Sequence, residues 1–239
     1  YQENGKQGRA RNKGISLSKG TYVAYLDADD LWEHNKLEVQ ISFLLLNYEI
    51  DLVFSQGYFL KEATKHDFDI SLKSIWDKRD IPEFIKSNRI PLPSVVVKLS
   101  SIKQVGGFKE ENEVQYGEDY FLWLKLLSKG YKFMSINNRL FFYRLHRNQV
   151  TANEKSEELK LLALLKEFYV YYDNKYAHGH ILERLKWGIF DSLYSDLYFD
   201  FCYQITKRYN KWSGIIVKIL NVIPFSSLKK KLIVKFLFI

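Results

Sequence analysis

A strand of buried character that runs directly into a cluster of acids is the feature that most constrains this sequence. The segment Thr21-Tyr22-Val23-Ala24-Tyr25-Leu26 is uncharged and rich in β-branched and aromatic residues, which is typical of a strand inside a sheet. It ends abruptly at Asp27-Ala28-Asp29-Asp30. Because an α/β sheet binds its ligands at the carboxyl ends of its strands, this pattern predicts several carboxylates at a ligand-binding edge.

The order of the neighbouring elements predicts an α/β fold. A helix is expected over residues 8–18, a second helix capped by Asn35 over residues 36–45, and another strand over residues 51–55. This alternation indicates a sheet covered by helices. Residues 61–89 have a weaker pattern and are interpreted as a surface excursion. The same criteria predict strands at 95–97, 131–136 and 140–146, a turn at Gly106-Gly107-Phe108 and a helix at 118–128.

The hydrophobic pattern of the sequence changes near residues 148–153. Residues 154–172 and 180–209 carry apolar side chains at helical spacing, and strand-like alternation does not return. We therefore expect two domains, an α/β domain over residues 1–150 and a helical region over residues 151–239.

Charge and cysteine content narrow the classes of function. The net charge is +8, and six lysines without an acid fall in residues 211–239. A basic excess in an apolar tail, rather than on a polar stripe, argues against nucleic acid as a partner. The single Cys202 excludes a disulfide framework and a cysteine zinc site, so the expected location is cytoplasmic.

The tail at 211–239 mixes its lysines with large apolar residues. This composition predicts a peripheral contact with an anionic membrane, here the inner face of the plasma membrane. The alternative is a helix packed on the protein with its lysines in water.

The acids at the end of the first strand suit a hard divalent cation. Carboxylate oxygens are the ligands that Mg²⁺ and Mn²⁺ prefer, and such an ion would neutralise a diphosphate. Taken alone, Asp27, Asp29 and Asp30 could equally form a solvated acidic turn or a helix cap.

Three ordered blocks of sequence resemble the family 2 glycosyltransferases. The first runs from Gly8 through Arg11-Asn12, the strand and its acids to Trp32 and Gln40. The second contains Gly106-Gly107-Phe108 and Gly117-Glu118-Asp119-Tyr120, and the third is Tyr143-Arg144-x-His146-x-Asn148-x-x-Thr151. The resemblance implies a GT-A fold, that is, a Rossmann-like domain with a mixed central sheet. Members of the family begin with strands that hold the nucleotide base, and none precedes Tyr1, so we expect an N-terminally truncated domain.

The resemblance also implies roles for the residues around the acids. Asp29 would bind the divalent ion, and Asp27 would reach the ribose of the donor or share the metal. Asp30 would contribute to the cofactor site or only order the loop. Arg11 would lie near the nucleotide of the donor, although an exposed helix arginine is the simpler interpretation.

Two further blocks supply the candidate base and a candidate imidazole ligand. Asp119 would act as the general base that removes a proton from the acceptor hydroxyl, with Glu118 as a weaker orienting candidate. Both acids could instead merely favour the start of a helix. His146 would contact the metal or the diphosphate, although a lone histidine is more often structural.

The resulting expectation is a metal-assisted enzyme with Mg²⁺ or Mn²⁺ as cofactor. It would transfer a hexose or N-acetylhexosamine, with inversion, from a UDP-sugar to a glycan or lipid-linked acceptor. A non-catalytic scaffold at the membrane surface is the main alternative, together with an inactive fragment of such an enzyme. A nucleotidyltransferase is less consistent with the sequence, because no glycine-rich phosphate loop with a lysine is visible.

Overall fold

The computed structural model describes residues 5–111, 117–146, 154–191 and 195–209. The chain divides into two compact units between Leu164 and Leu165. The expected domain boundary at residues 148–153, Thr151 of the third block and the basic tail at 211–239 lie outside the described residues.

The first unit is built on a mixed six-stranded sheet, which confirms the predicted fold class. The strands follow the order β1-β5-β3-β6-β2, and β4 pairs with β3 beside this path. Among the described strands, the β3–β6 pair is parallel and the other pairs are antiparallel. The strands are β1 (Tyr22–Ala24), β2 (Leu31–Trp32), β3 (Leu52–Lys61), β4 (Thr64–Phe68), β5 (Val96–Lys98) and β6 (Phe133–Leu145).

The two strands predicted at 131–136 and 140–146 are one continuous strand, β6. Its pairing with β3 passes from Ile136 opposite Ser55 to Arg139 opposite Gln56, so Asn137 and Asn138 are extra residues in a bulge. Both asparagines are exposed. The sequence pattern was interrupted because these polar residues leave the ladder, although the strand itself continues.

The stretch at 61–89 is more than a surface excursion. It contains strand β4, a short 3-10 turn at Lys78–Asp80 and helix α3. Trp76, Ile81 and Phe84 from this stretch are buried in the core. The prediction was wrong here because these few apolar residues are widely spaced and share no helical or strand period.

Helices surround the sheet and make up the described part of the second unit. Those of the first unit are α1 (Lys6–Leu17), α2 (Lys36–Leu46), α3 (Ile81–Lys86), α4 (Leu99–Gln104) and α5 (Glu118–Ser128). Helix α6 (Glu154–Tyr171) is followed by α7 (Lys175–Asp191) and α8 (Ser195–Tyr209), which confirms the helical C-terminal region. No helix within the described ranges is long and apolar enough to cross a bilayer.

Polar side chains from the segment after the acids fix the loop that leads into β5. The indole of Trp32 donates to the carbonyl of Pro93 at 2.9 Å, and the amide of Gln40 donates to that of Ser94 at 2.7 Å. Lys36 donates to the next carbonyl, that of Val95, at 3.4 Å. Consecutive buried carbonyls are thereby satisfied, and the loop is held beside the acid-bearing segment.

Candidate functional site

The acids after β1 form a turn in which two side chains face outward and one faces inward. The turn is closed by a hydrogen bond from the N–H of Asp30 to the carbonyl of Asp27, at 3.1 Å. The side chains of Asp27 and Asp29 are 40% and 45% exposed, whereas Asp30 is only 6% exposed. The predicted cluster is therefore divided into two accessible carboxylates and one buried carboxyl.

Asp30 is bound to the end of β6. Its Oδ1 accepts a hydrogen bond from the backbone N–H of Arg144 at 3.0 Å, and the Nε of Arg144 donates to the carbonyl of Asp29 at 2.8 Å. Burial raises the pKa of Asp30 to about 7 against the effect of the Arg144 N–H, and the charges of Asp29 and Asp27 raise it further. This geometry suits Asp30 to ordering the loop rather than to direct ligand contact.

His146 and Asp29 lie side by side. The imidazole Nε2 is 3.0 Å from Asp29 Oδ2, and both side chains are partly exposed. The third and first predicted blocks therefore meet at this pair. Among the described residues, no group of three or more His, Cys, Asp and Glu side chains is arranged to hold a metal ion.

Arg11 connects the acid turn to the start of α5. Its Nη2 donates to Asp27 Oδ1 at 2.7 Å, and its Nη1 donates to Glu118 Oε1. The side chain is 15% exposed, so it is not the exposed helix arginine of the simpler interpretation. Burial opposes its charge, but the carboxylates of Asp27, Glu118 and Asp119 outweigh burial and raise its pKa above the ordinary value.

The two acids of α5 occupy different environments. Glu118 is 3% exposed, and its Oε2 is buried with no hydrogen-bond partner among the described residues. Asp119 accepts hydrogen bonds from the backbone N–H of Tyr120 at 2.7 Å and from Asn88 Nδ2 at 3.3 Å. Burial, together with the charge of Glu118, raises the pKa of Asp119 to about 6. Asp119 is thus a stronger base than an ordinary aspartate and is still mostly ionised at neutral pH.

Asn12 positions the second block and was missed as a structural residue by the sequence analysis. Its amide donates to the carbonyl of Phe108 at 2.8 Å and its Oδ1 accepts from the N–H of Phe108 at 2.8 Å. Gly107 has φ of +68°, and a Cβ there would lie 2.4 Å from Asn12 Oδ1. The glycine is therefore required, and its appearance beside Phe108 in the block was the available signal.

The site as a whole carries more negative than positive charge. Among the described residues, the carboxyl groups of Asp27, Asp29, Asp30, Glu118 and Asp119 converge on this edge of the sheet. The guanidinium of Arg11 binds Asp27 and Glu118, and that of Arg144 binds the backbone carbonyl of Asp29. Such an edge attracts cations and repels an anionic diphosphate unless a cation accompanies it. Asp29 offers a hard carboxylate oxygen, the ligand type that suits Mn²⁺ and Mg²⁺, and His146 offers an imidazole nitrogen, which suits transition-metal ions better than Mg²⁺.

Known proteins of similar sequence are glycosyltransferases. The family described as glycosyl transferase family 2 matches residues 1–96. The chain is 31% identical over 160 residues to the Escherichia coli UDP-Glc:alpha-D-GlcNAc-diphosphoundecaprenol beta-1,3-glucosyltransferase WfaP, a match that covers 66% of this chain and 59% of WfaP. It is 30% identical over 178 residues to TuaG of Bacillus subtilis, a putative teichuronic acid biosynthesis glycosyltransferase, with 74% of this chain and 65% of TuaG covered.

A third relative and a solved structure extend the comparison. An uncharacterized glycosyltransferase of Methanocaldococcus jannaschii is 30% identical over 154 residues, which cover 64% of this chain and 52% of that protein. The chain thus spans 52% to 65% of the length of these relatives. The crystal structure of S. aureus TarS 1-349 in complex with UDP-GlcNAc matches with a TM-score of 0.61 at 13% identity, over 86% of this chain and 62% of TarS. That likeness confirms the GT-A fold.

The sequence blocks, the fold and the relatives agree with one another. The family match covers the segment that carries Arg11 and the acids after β1, and the fold brings α5 and the end of β6 to that segment. This chain belongs to glycosyl transferase family 2.

Proposed function

We propose that this protein transfers a sugar from a UDP-sugar to a lipid-linked glycan acceptor, with inversion at the anomeric carbon and with Asp119 as the general base. The observation that carries the proposal is the position of Arg11. Its guanidinium binds Asp27 in the acid turn and Glu118 next to the candidate base. The donor side and the acceptor side of a transfer reaction are thereby fixed against one another by a single side chain.

Asp29 and His146 would hold the metal ion. Their facing atoms are 3.0 Å apart, and both side chains are accessible, so one ion can contact both. When bound, Mn²⁺ or Mg²⁺ would stabilise the negative charge of the diphosphate leaving group. Asp27 is engaged by Arg11, which favours its role in the donor site over a share of the metal.

Asp119 has the properties that the chemical step requires. As its carboxylate takes the proton, the acceptor oxygen forms a bond to the anomeric carbon, and the bond from that carbon to the diphosphate oxygen breaks. The electron pair of that bond leaves with the diphosphate. Attack from the face opposite the leaving group inverts the anomeric configuration. With its pKa raised to about 6, Asp119 accepts the proton more readily than an ordinary aspartate.

The substrate class is supported by what the relatives' names state. WfaP is named for UDP-Glc as donor and a diphosphoundecaprenol-linked acceptor, and TuaG for teichuronic acid biosynthesis. A UDP-hexose donor and a lipid-linked acceptor of the cell envelope are the corresponding proposal here. A peripheral contact of residues 211–239 with the inner face of the plasma membrane would bring the enzyme to such an acceptor, and its six lysines favour an anionic surface.

The test of the metal site is calorimetric binding of UDP in the presence and absence of Mn²⁺. We expect Mn²⁺ to strengthen UDP binding by at least about tenfold in the wild-type chain and to have little effect in Asp29→Ala. Asp69→Ala is the matched control. Asp69 is an exposed aspartate that directly follows β4 and forms an ion pair with Arg139. Mn²⁺-dependent binding that is unchanged in Asp29→Ala would refute the assignment of Asp29.

A further inference from the structure

The loop that begins at Asn88 is held by hydrogen bonds from two elements of the candidate site, helix α5 and the segment after the acid turn. The indole of Trp123 in α5 donates to the carbonyl of Ile90 at 3.2 Å. Farther along, Trp32 and Gln40 donate to the carbonyls of Pro93 and Ser94. Residues 88–95 are therefore held by hydrogen bonds both to α5, the helix that carries Asp119, and to the segment that follows the acid turn.

Asn88 lies at the start of this loop with its amide in a defined orientation. Its Oδ1 accepts a hydrogen bond from the N–H of Ile90 at 3.2 Å, so its Nδ2 points away from its own loop. That Nδ2 donates to Asp119 Oδ2 at 3.3 Å. A flipped amide would place an oxygen against a carboxylate and an NH₂ against a backbone N–H, so both contacts select the same orientation.

We infer that Asn88 is a positioning residue for the general base: it holds the Asp119 carboxylate in its reactive orientation through one oxygen. This inference rests on the proposed function of Asp119. The Tyr120 N–H binds the opposite oxygen, Oδ1, at 2.7 Å, so the carboxylate is held from both sides. Asn88 is exposed, and the contact therefore lies at the solvent-accessible side of the base, where an acceptor would arrive.

The charge of Asp119 is set by a small number of neighbours. Burial and then the charge of Glu118, next to it on α5, raise its pKa, whereas the Tyr120 N–H, Arg11 from α1 and the Asn88 amide lower it. Removal of the Asn88 donor takes away one of the contacts that lower the pKa of Asp119. The pKa should therefore rise, and the carboxylate should bind its proton more tightly.

The decisive variants are Asn88→Ala and Asn88→Asp. Asn88→Ala removes the N–H donor. Asn88→Asp keeps an oxygen that can accept from the Ile90 N–H, but it places a negatively charged carboxylate beside Asp119 in place of the donor. Arg89→Ala is the control, because Arg89 lies in the same loop but binds Glu83 and Ser71. The readouts are the pH dependence of sugar transfer and the carboxyl ¹³C chemical shift of Asp119, assigned with Asp119→Asn.

We expect the acidic limb of the rate profile and the titration of Asp119 to move together to higher pH. In Asn88→Ala the transfer rate should fall about three- to fivefold near pH 5.5 and less than about twofold near pH 8, and Asn88→Asp should shift further. Arg89→Ala should leave the titration unchanged. An Asp119 titration that is the same in wild type and both Asn88 variants would overturn this inference. If the Asp119 titration shifts in the Asn88 variants but neither the wild type nor any variant transfers sugar, the proposed function is wrong, and the contact between Asn88 and Asp119 is still supported.

Discussion

Arg11 and Lys36 are two cations withdrawn from solvent in the same unit, and their surroundings are opposite. The guanidinium of Arg11 lies among the carboxylates of Asp27 and Glu118, and the pKa of Arg11 is raised. Lys36 is 0% exposed; its Nζ lies 4.3 Å from the centre of the Trp32 ring and donates to a backbone carbonyl. Burial lowers its pKa to about 7, and no carboxylate in the described part of the chain opposes that effect.

Under the proposed function, this difference would separate a charge that serves catalysis from one that serves structure. The carboxylates in excess around Arg11 would be available to bind a metal, a proton or a substrate. The face of the Trp32 ring and one backbone carbonyl solvate the Lys36 ammonium less well than water does. Their effect is to hold Lys36 against the loop before β5. The methylene stem of Lys36 and its hydrogen bond to the carbonyl of Val95 therefore serve packing and loop position.

The largest expected effect comes from Arg11→Met, which retains much of the side-chain volume but removes the charge. Glu118 would be left buried beside Asp119 with no cation, so we expect the urea unfolding free energy to fall by about 3–5 kcal/mol. Arg79→Met is the control, because the Arg79 side chain is 83% exposed and its ion pair with Asp77 is screened by water, so its removal should change stability little. Equal losses in the two variants would remove the distinction between Arg11 and a surface arginine.

A smaller effect, with a defined pH dependence, is expected for Lys36→Met. Between a folded pKa of about 7 and an ordinary value of 10.5, the folded state binds fewer protons than the unfolded state. Stability of the wild-type chain should therefore rise as the pH increases from about 7, by about 1–3 kcal/mol up to about pH 9.5 relative to Lys36→Met. Urea titrations at several pH values give the difference. Parallel stability curves for the two proteins would show that Lys36 is not desolvated.

The sequence predicted what depends on local pattern. The helix that begins at Glu118 and the α/β class follow from composition and periodicity, and the structure confirms them. The strand before Asp27 is also present, but β1 is shorter than expected, only half-buried, and lies at one end of the described strand order rather than inside the sheet. The family resemblance assigned roles to Arg11, Asp119 and His146, which the fold gathers around the acid turn. Their roles in catalysis remain predictions, for which the experiments above are designed.

What the sequence did not predict depends on contacts between distant parts of the chain. The burial of Lys36 requires the loop before β5, which is 59 residues away along the chain. The contact between Asn88 and Asp119 joins a stretch that was interpreted as surface to the start of α5. The continuous β6 was divided in two because its bulge places Asn137 and Asn138 in solvent. No local period encodes any of these features.

The most direct test of the central claim is the rate of sugar transfer from a UDP-sugar to a diphosphate-linked lipid acceptor by Asp119→Asn. The substitution keeps the size of the side chain and removes its basicity. We predict a loss of about 10²–10⁴-fold in the transfer rate, with Mn²⁺-dependent UDP binding unchanged. A wild-type transfer rate in Asp119→Asn would contradict the account, because the carboxylate edge organised by Arg11 would then not supply the base.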